Sequence, residues 1–450
     1  MTDVPSRRDD AARDRPGYDP AAEVTQICSD LIRIDTSNYG DLEGPGERKA
    51  AEHVAALLSE VGVEPQIFES EPGRSTVVAR WGETAENRHR DPLLVHGHLD
   101  VVPARAEDWQ VHPFSGEVRD DYVWGRGAVD MKDFDAMVLS ALRARTRADA
   151  APSRPLVLCF TADEEAGGKK GAGWLAQNHP ETLEGCTEAI GEVGGFSATI
   201  NDRRIYLVES AEKGIEWMRL RAKGHAGHGS MRHADNAVTA LSAAVARLGA
   251  HEWPTHVRPA MAELLEIVAD VVGEQYDEQN PEPLVRHFGS AARMLDAVLR
   301  NTTNPTMLDA GYKLNVIPGE AEAHVDGRVL PGFEEEFHAT VDELLGDRVT
   351  REPVHSDIAF ETSFDGALVD AMRESVLAED PGAVVAPYLM SGGTDGKWWH
   401  KRGIRCFGFT PLRLPPDLDF TALFHGVDER VPVDALEFGS RVFDRFLDLA

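Results

Sequence analysis

Along this chain, apolar runs that end abruptly in acidic or imidazole side chains alternate with stretches whose apolar residues recur at helical spacing. The clearest run, 92–95 (PLLV), passes straight into His96-Gly97-His98-Leu99-Asp100 and then Val101-Val102. That profile predicts a buried parallel strand delivering polar groups at its carboxyl end. Side chains two apart on a strand share a face, so His98 and Asp100 are expected to project together. The run 155–162 (PLVLCFTA) repeats the pattern and ends in Asp163-Glu164-Glu165, and 187–192 (TEAIGE) repeats it again up to Glu192. Three strand ends that each supply acid or imidazole point to a site at the carboxyl edge of an α/β sheet.

Between these runs the period changes. Val24, Ile27, Leu31 and Ile34 mark one stripe of a helix over 21–34, broken by Asp35-Thr36-Ser37-Asn38. Ala51, Val54, Ala55, Leu58 and Val61 mark another over 46–61, with Gly62 as its stop. Short strands are expected near 66–68 and 76–81. Trp124-Gly125-Arg126-Gly127 leads through Asp130 into a helix over 133–147; no third glycine follows, which disfavours a dinucleotide loop. Asp130 at that turn suits either a helix cap or a metal ligand.

From Gly214 the texture shifts to alternating strands around a glycine-rich loop, Gly224-His225-Ala226-Gly227-His228-Gly229-Ser230. A helix over 235–248, helical pieces near 264–272 and 291–299, strands over 312–317 and 321–330, a helix over 333–345 and a strand near 351–355 follow. Together they read as an inserted β-α-β-β-α-β unit over about 214–360. The remainder returns to α/β character, with a glycine-rich turn at Ser391-Gly392-Gly393-Thr394-Asp395-Gly396, a strand over 405–409 and a final helix over 433–449.

Composition narrows the function. At 450 residues with 42% apolar content the chain is long enough for two domains. A formal net charge of −31 argues against nucleic acid and anionic membranes as partners. No apolar run approaches the roughly 18 residues of a spanning helix. Residues 1–20 are charged and lack an apolar core, which predicts a loose tail and no signal peptide. Cys28, Cys159, Cys186 and Cys406 are scattered without a C-x-x-C, so a cytoplasmic location is expected and a cysteine metal site is not. Neither a P-loop nor Gly-x-Ser-x-Gly is present.

Taken singly, each acidic or imidazole strand end has a plain structural alternative: a hydrogen-bonded histidine, a solvated acidic loop or a helix cap. Together His98, Asp130, Glu165, Glu192 and His425 offer two imidazoles and three carboxylates, a donor mix suited to zinc or a similar divalent ion.

The motifs H-G-H-L-D-V-V-P, G-R-G-A-V-D-M-K, T-A-D-E-E, the G-E after a strand, G-H-A-G-H-G-S, N-V-I-P and F-H-G-V-D-E-R resemble, in that order, the M20 family of metallopeptidases. That family takes in glutamate carboxypeptidases, aminoacylases, carnosine-type dipeptidases and succinyl-diaminopimelate desuccinylases. The resemblance implies an α/β catalytic domain, a zinc-exopeptidase-type mixed sheet with flanking helices, over 21–213 and 361–450. It implies that the α+β insert over 214–360 is a lid and dimerisation domain.

The resemblance also implies two divalent metal ions, zinc or else manganese or cobalt. Asp130 would bridge them, Glu165 and His425 would complete one site, and His98 and Glu192 the other. Asp100 would orient His98, and Glu164 would be the general base. His228, followed by Gly229-Ser230, matches the family's G-H-[AG]-S better than His225 and would meet the oxyanion, from its own lid or a partner's. Asn315 and Arg328 fall at substrate-holding positions, with Arg328 suited to fork a carboxylate and a surface ion pair as its alternative. Ser391, Gly392 and Gly393 complete the expected substrate-binding set. The peptide after the bridging Asp130 is expected to be cis. The implied activity is metal-dependent hydrolysis of an amide bond in a peptide or N-acyl amino acid with a free carboxylate. An aminoacylase or deacylase, and a non-catalytic metal-binding scaffold, are the alternatives.

Overall fold

The computed structural model describes residues 17–40 and 43–450; residues 1–16 of the expected tail lie outside the described residues. The chain divides into two compact units. Among the described residues, one comprises 17–40, 43–210, 362–387 and 394–450; the other is Ala211–Glu361 with Tyr388–Gly393. The expected insert over 214–360 leaves Ser391, Gly392 and Gly393 with the catalytic block over 361–450, whereas here these three residues belong to the smaller unit.

In the larger unit the apolar runs lie side by side in a mixed sheet. The strand order is Gln66–Glu71, Arg74–Trp81, Leu156–Thr161, Leu93–His98, Glu188–Gly191, Arg405–Gly408, Arg203–Glu212. The central four, from Leu156–Thr161 to Arg405–Gly408, run parallel. Leu93, Leu94, Val157 and Leu158 are buried, which explains why these strands read as continuous apolar runs. Helix Val24–Arg33 packs on Lys132–Arg147, which packs on Val433–Leu449, and that helix packs on Ala367–Glu379. Thirteen of the sixteen residues of Lys132–Arg147 are buried, Lys132, Asp133, Asp135 and Arg145 among them, so only its last turn reaches the surface.

The smaller unit holds a four-stranded antiparallel sheet in the order Thr302–Ala310, Glu320–Val329, Gly214–Lys223, Val349–Asp357. Ala321, Ala323, Val325 and Val329 alternate inward and meet Leu241 and Leu248 of helix Ala237–Ala250 and Phe337 and Val341 of helix Glu334–Leu345. The β-α-β-β-α-β order is the expected one, but its second strand is not. Thr302–Ala310 forms it, whereas within 312–317 only Val316–Ile317 is extended. Pro305 demotes this stretch as a strand in sequence terms. Here it lies on the sheet edge beside a register shift between Pro305 and Met307, where a missing N–H breaks no ladder. Among the described residues no helix is long and apolar enough to cross a membrane.

Candidate metal centre

Three neighbouring parallel strands, Leu156–Thr161, Leu93–His98 and Glu188–Gly191, end together, with His98 in register with Thr161. The chain leaving the first turns at once into the short 3-10 segment Glu164–Ala166, and the third runs directly into Glu192. Beside His98, Gly97 packs so closely that an added Cβ would lie 2.1 Å from Asp135 Oδ1, which explains a glycine between two histidines. Asp130 comes from the turn before helix Lys132–Arg147, where Gly125 and Gly127 adopt φ of 151° and 89°. The Asp130–Met131 peptide is cis, as the resemblance implied. His425 follows the 3-10 turn Phe420–Ala422 and has φ 56°.

These elements bring five of the expected residues to one place. Asp130 offers one carboxylate oxygen to each imidazole: Oδ1 lies 3.0 Å from His98 Nε2, and Oδ2 lies 3.3 Å from His425 Nε2. Glu192 Oε2 is 3.3 Å from His98 Nε2, and Glu165 Oε2 is 3.1 Å from His425 Nε2. Glu164 joins them, because its carboxylate, His98 and Glu192 hold ligand atoms within 4.8 Å of one another. His98, Asp130 and Glu165 form a second such group.

The electrostatics of this cluster call for a cation. Burial pushes Glu192 up to about 8, against the pull of His98. Burial likewise raises Glu164 and Glu165, with Glu192 adding to the first and Asp130 to the second. Burial works against a charged His98, yet Glu192 and Asp130 outweigh it and raise the ring's pKa. Hydrogen bonds to Asp130 and Glu165 push His425 up to about 10. Asp130 is also penalised by burial, but His425 and His98 hold it below the usual carboxylate range. Four acids thus compete for two imidazole protons in a partly buried site. Carboxylate oxygens and imidazole nitrogens converging in this way fit one or more divalent ions of the zinc type.

Asp100 takes a different place from the one its spacing suggested. The His98 ring meets the Asp100 backbone carbonyl, with Nδ1 2.8 Å from that oxygen, while the nearest carboxylate oxygen is 3.7 Å away. A carbonyl only accepts, so Nδ1 carries the proton and Nε2 is left to face the carboxylates. The Asp100 carboxylate instead accepts from the backbone N–H groups of Glu164 and Glu165, both at 3.1 Å, and from Asn38 Nδ2 at 2.9 Å. Asn38 Oδ1 in turn accepts from Arg74 Nη2 at 2.7 Å, and Arg74 pairs with the buried Glu47. Sequence reading passed over Asn38, Arg74 and Glu47. Only Asn38 left a trace, as the end of the Asp35-Thr36-Ser37-Asn38 helix break.

Within the smaller unit His228 and Asn315 are neighbours. His228 pairs in a two-stranded ladder with Val316, and Gly229 N donates to Asn315 O at 2.9 Å. His228 Nδ1 lies 2.8 Å from Ser230 Oγ, whereas His225 is turned to Asp235, 2.6 Å away. Arg328 directs Nε and Nη2 at Asp326, at 2.7 and 3.0 Å, so the ion pair considered as its alternative is present. Gly393 lies near Glu212 and Ile215, where an added Cβ would be 3.6 Å from Glu212 Oε2.

The chain resembles known proteins in sequence and in fold. Over 368 residues it is 30% identical to the probable carboxypeptidase S-like 2 of Dictyostelium discoideum, covering 76% of this chain and 68% of that one. It is also 30% identical over 371 residues to the human N-fatty-acyl-amino acid synthase/hydrolase PM20D1, covering 77% of this chain and 71% of that protein. In structure it matches the M20 family metallo-carboxypeptidase Sso-CP2 from Sulfolobus solfataricus with a TM-score of 0.70 at 17% identity, over 95% of this chain and 99% of the other. The model of peptidase family M20/M25/M40 matches residues 94–449, a span that contains every side chain of the cluster around Asp130. The chain is therefore a hydrolase belonging to peptidase family M20/M25/M40.

Proposed function

We propose that this protein is a dinuclear metal-dependent hydrolase that cleaves the amide bond of a peptide or N-acyl amino acid bearing a free carboxylate. The observation that carries the reading is the split of Asp130, whose two oxygens face different imidazoles, each with its own glutamate: His98 with Glu192, and His425 with Glu165. One carboxylate shared between two such half-sites is the arrangement a bridging ligand needs. Bound divalent ions, zinc or else manganese or cobalt, would supply Lewis acidity, lowering the pKa of a water toward ~7 and polarising the scissile carbonyl.

The residues divide the remaining work. Glu164 stands beside His98 and Glu192, with its backbone N–H anchored on Asp100. From there it takes the proton of the attacking water and returns it to the departing amine. Asp100 holds the Glu164–Glu165 turn, and its carbonyl fixes the His98 tautomer. His228 is assigned to the developing oxyanion, Asn315 and Ser391-Gly392-Gly393 to holding the substrate, and Arg328 to its carboxylate. An aminoacylase reading is favoured by one specific observation, the similarity to an N-fatty-acyl-amino acid synthase/hydrolase. Pairing of two copies through the smaller unit is supported by its edge strand Thr302–Ala310, which leaves Met307 and Leu308 more than 60% exposed. Sedimentation of the full chain checks that pairing.

The test combines metal analysis with a panel of dipeptides and N-acyl amino acids. Purified protein should hold close to two divalent ions and lose hydrolysis to a chelator. Glu164→Gln should keep both ions and slow turnover by roughly 10²–10⁴. Metal-free protein that still turns over would sink the mechanism.

A further inference from the structure

The two halves of the centre are built differently. His98 and Glu192 stand on sheet strands or at a strand end, and their side chains are 1% and 5% exposed. His425 comes from a loop, is 54% exposed and holds a left-handed backbone. Its own turn is closed by one backbone hydrogen bond, from Gly426 N to Leu423 O at 2.9 Å, and the ring itself meets Asp130 and Glu165. The hold comes from a buried pair that no motif reading assigned. Arg126 and Glu429 are 4% and 0% exposed, with Arg126 Nη1 2.6 Å from Glu429 Oε2.

That pair clamps two loops. Glu429 Oε1 accepts from the N–H of Val129, the residue before Asp130, at 2.8 Å. Glu429 O accepts from Gly125 N at 3.0 Å. Arg126 Nη2 donates to the backbone carbonyl of His425 at 3.3 Å, so the same guanidinium touches the histidine's own peptide. Arg126 is itself fixed by its N–H on Pro113 O at 2.8 Å and by the Trp109 ring 5.3 Å beneath it. One ion pair therefore sets the distance between the loop carrying Asp130 and the loop carrying His425.

We propose that Arg126 and Glu429 are positioning residues that assemble the half-site of Asp130, Glu165 and His425, while the half-site of Asp130, His98 and Glu192 forms without them. The inference rests on the dinuclear reading above. Outer partners of this kind are typically worth 10–100-fold in metal affinity. A pair serving only general stability would lower both sites alike or neither.

The experiment strips the full-length protein of metal and titrates it with Co²⁺, reading visible absorption and calorimetry for wild type, Glu429→Gln, Arg126→Lys and His425→Ala. Wild type is expected to take two ions. Glu429→Gln and Arg126→Lys should keep one ion at wild-type affinity and bind the second roughly 10–100-fold more weakly, with the spectrum of their one-ion form matching that of His425→Ala. Two wild-type affinities in either variant overturn the inference. So does an equal loss at both sites, or failure of both variants to fold, since either marks a general structural pair. A wild type that binds fewer than two ions overturns the dinuclear reading itself, and the inference with it.

Discussion

Lys213 gives the smaller unit a pH dependence whose size can be worked out. It is 1% exposed, and its Nζ donates to Arg300 O at 2.7 Å and Ala297 O at 3.0 Å, with Thr302 Oγ1 at the limit, 3.5 Å. Burial pushes this ammonium down from the ordinary 10.5 to about 7; the charges of Arg328 and Arg300 add to the effect and Asp326 opposes it. The folded chain thus holds this proton more weakly than the unfolded chain does. Between about pH 7 and 10.5 the unfolded state binds more protons, so stability rises with pH across that window. Below about 7 the whole penalty is present. At about 1.4 kcal/mol per tenfold change in acidity, it amounts to about 5 kcal/mol. Against it stand the two close hydrogen bonds, which the neutral amine donates as well.

Lys213→Met removes both the penalty and the bonds, so its effect near neutral pH is the difference of two opposing terms. The slope is the decisive quantity. Urea unfolding of wild type and variant, compared at several pH values with matched m-values, should show wild type gaining on the variant above about pH 7. The gain should be about 3 kcal/mol by about pH 9.5. Parallel pH curves for the two proteins would mean that Lys213 titrates as it does in water, and would refute the account of its burial.

Which parts of the site were visible in sequence follows from where each signal lies. His98, Glu165 and Glu192 each close an apolar run, and Leu93–His98, Leu156–Thr161 and Glu188–Gly191 are strands because those runs are buried on both faces. Asp130 and His425 sit in quoted motifs, so they could be named although neither ends a strand. Partners that act across long stretches of chain left no such trace. Arg126 and Glu429 meet over 303 positions, and Glu429 belonged to the F-H-G-V-D-E-R motif without any spacing rule to say that it faces Val129. Asp100 shows the limit of period-two reasoning. It predicted a shared face with His98, but the ring bonds the carbonyl, because the carboxylate is taken by the Glu164–Glu165 turn and Asn38. Arg203–Glu212 also went unread. Its first residues are charged and its last eight are buried, so it carries neither clean alternation nor a long apolar run.

Two further outcomes test residues in the two units. His228→Ala should lower kcat by roughly 10²–10³ with KM little changed, the pattern of a contact made in the transition state; steady-state kinetics on the best amide substrate reads it, and an unchanged kcat removes His228 from the site. Gly97→Ala tests the packing beneath His98. A Cβ there would lie 2.1 Å from Asp135 Oδ1 and 3.1 Å from Met131 Cε, and Asp135 belongs to the buried first turns of helix Lys132–Arg147, which have little room to retreat. Overpacking of this kind typically costs 1–3 kcal/mol, read as a lower melting temperature. The cause can be isolated, because Asp135→Ala removes the atom that the new Cβ would strike. The double variant should therefore lose less stability than the two single losses combined. Additive losses would show that the strand yields elsewhere and that the contact with Asp135 does not set the requirement for glycine.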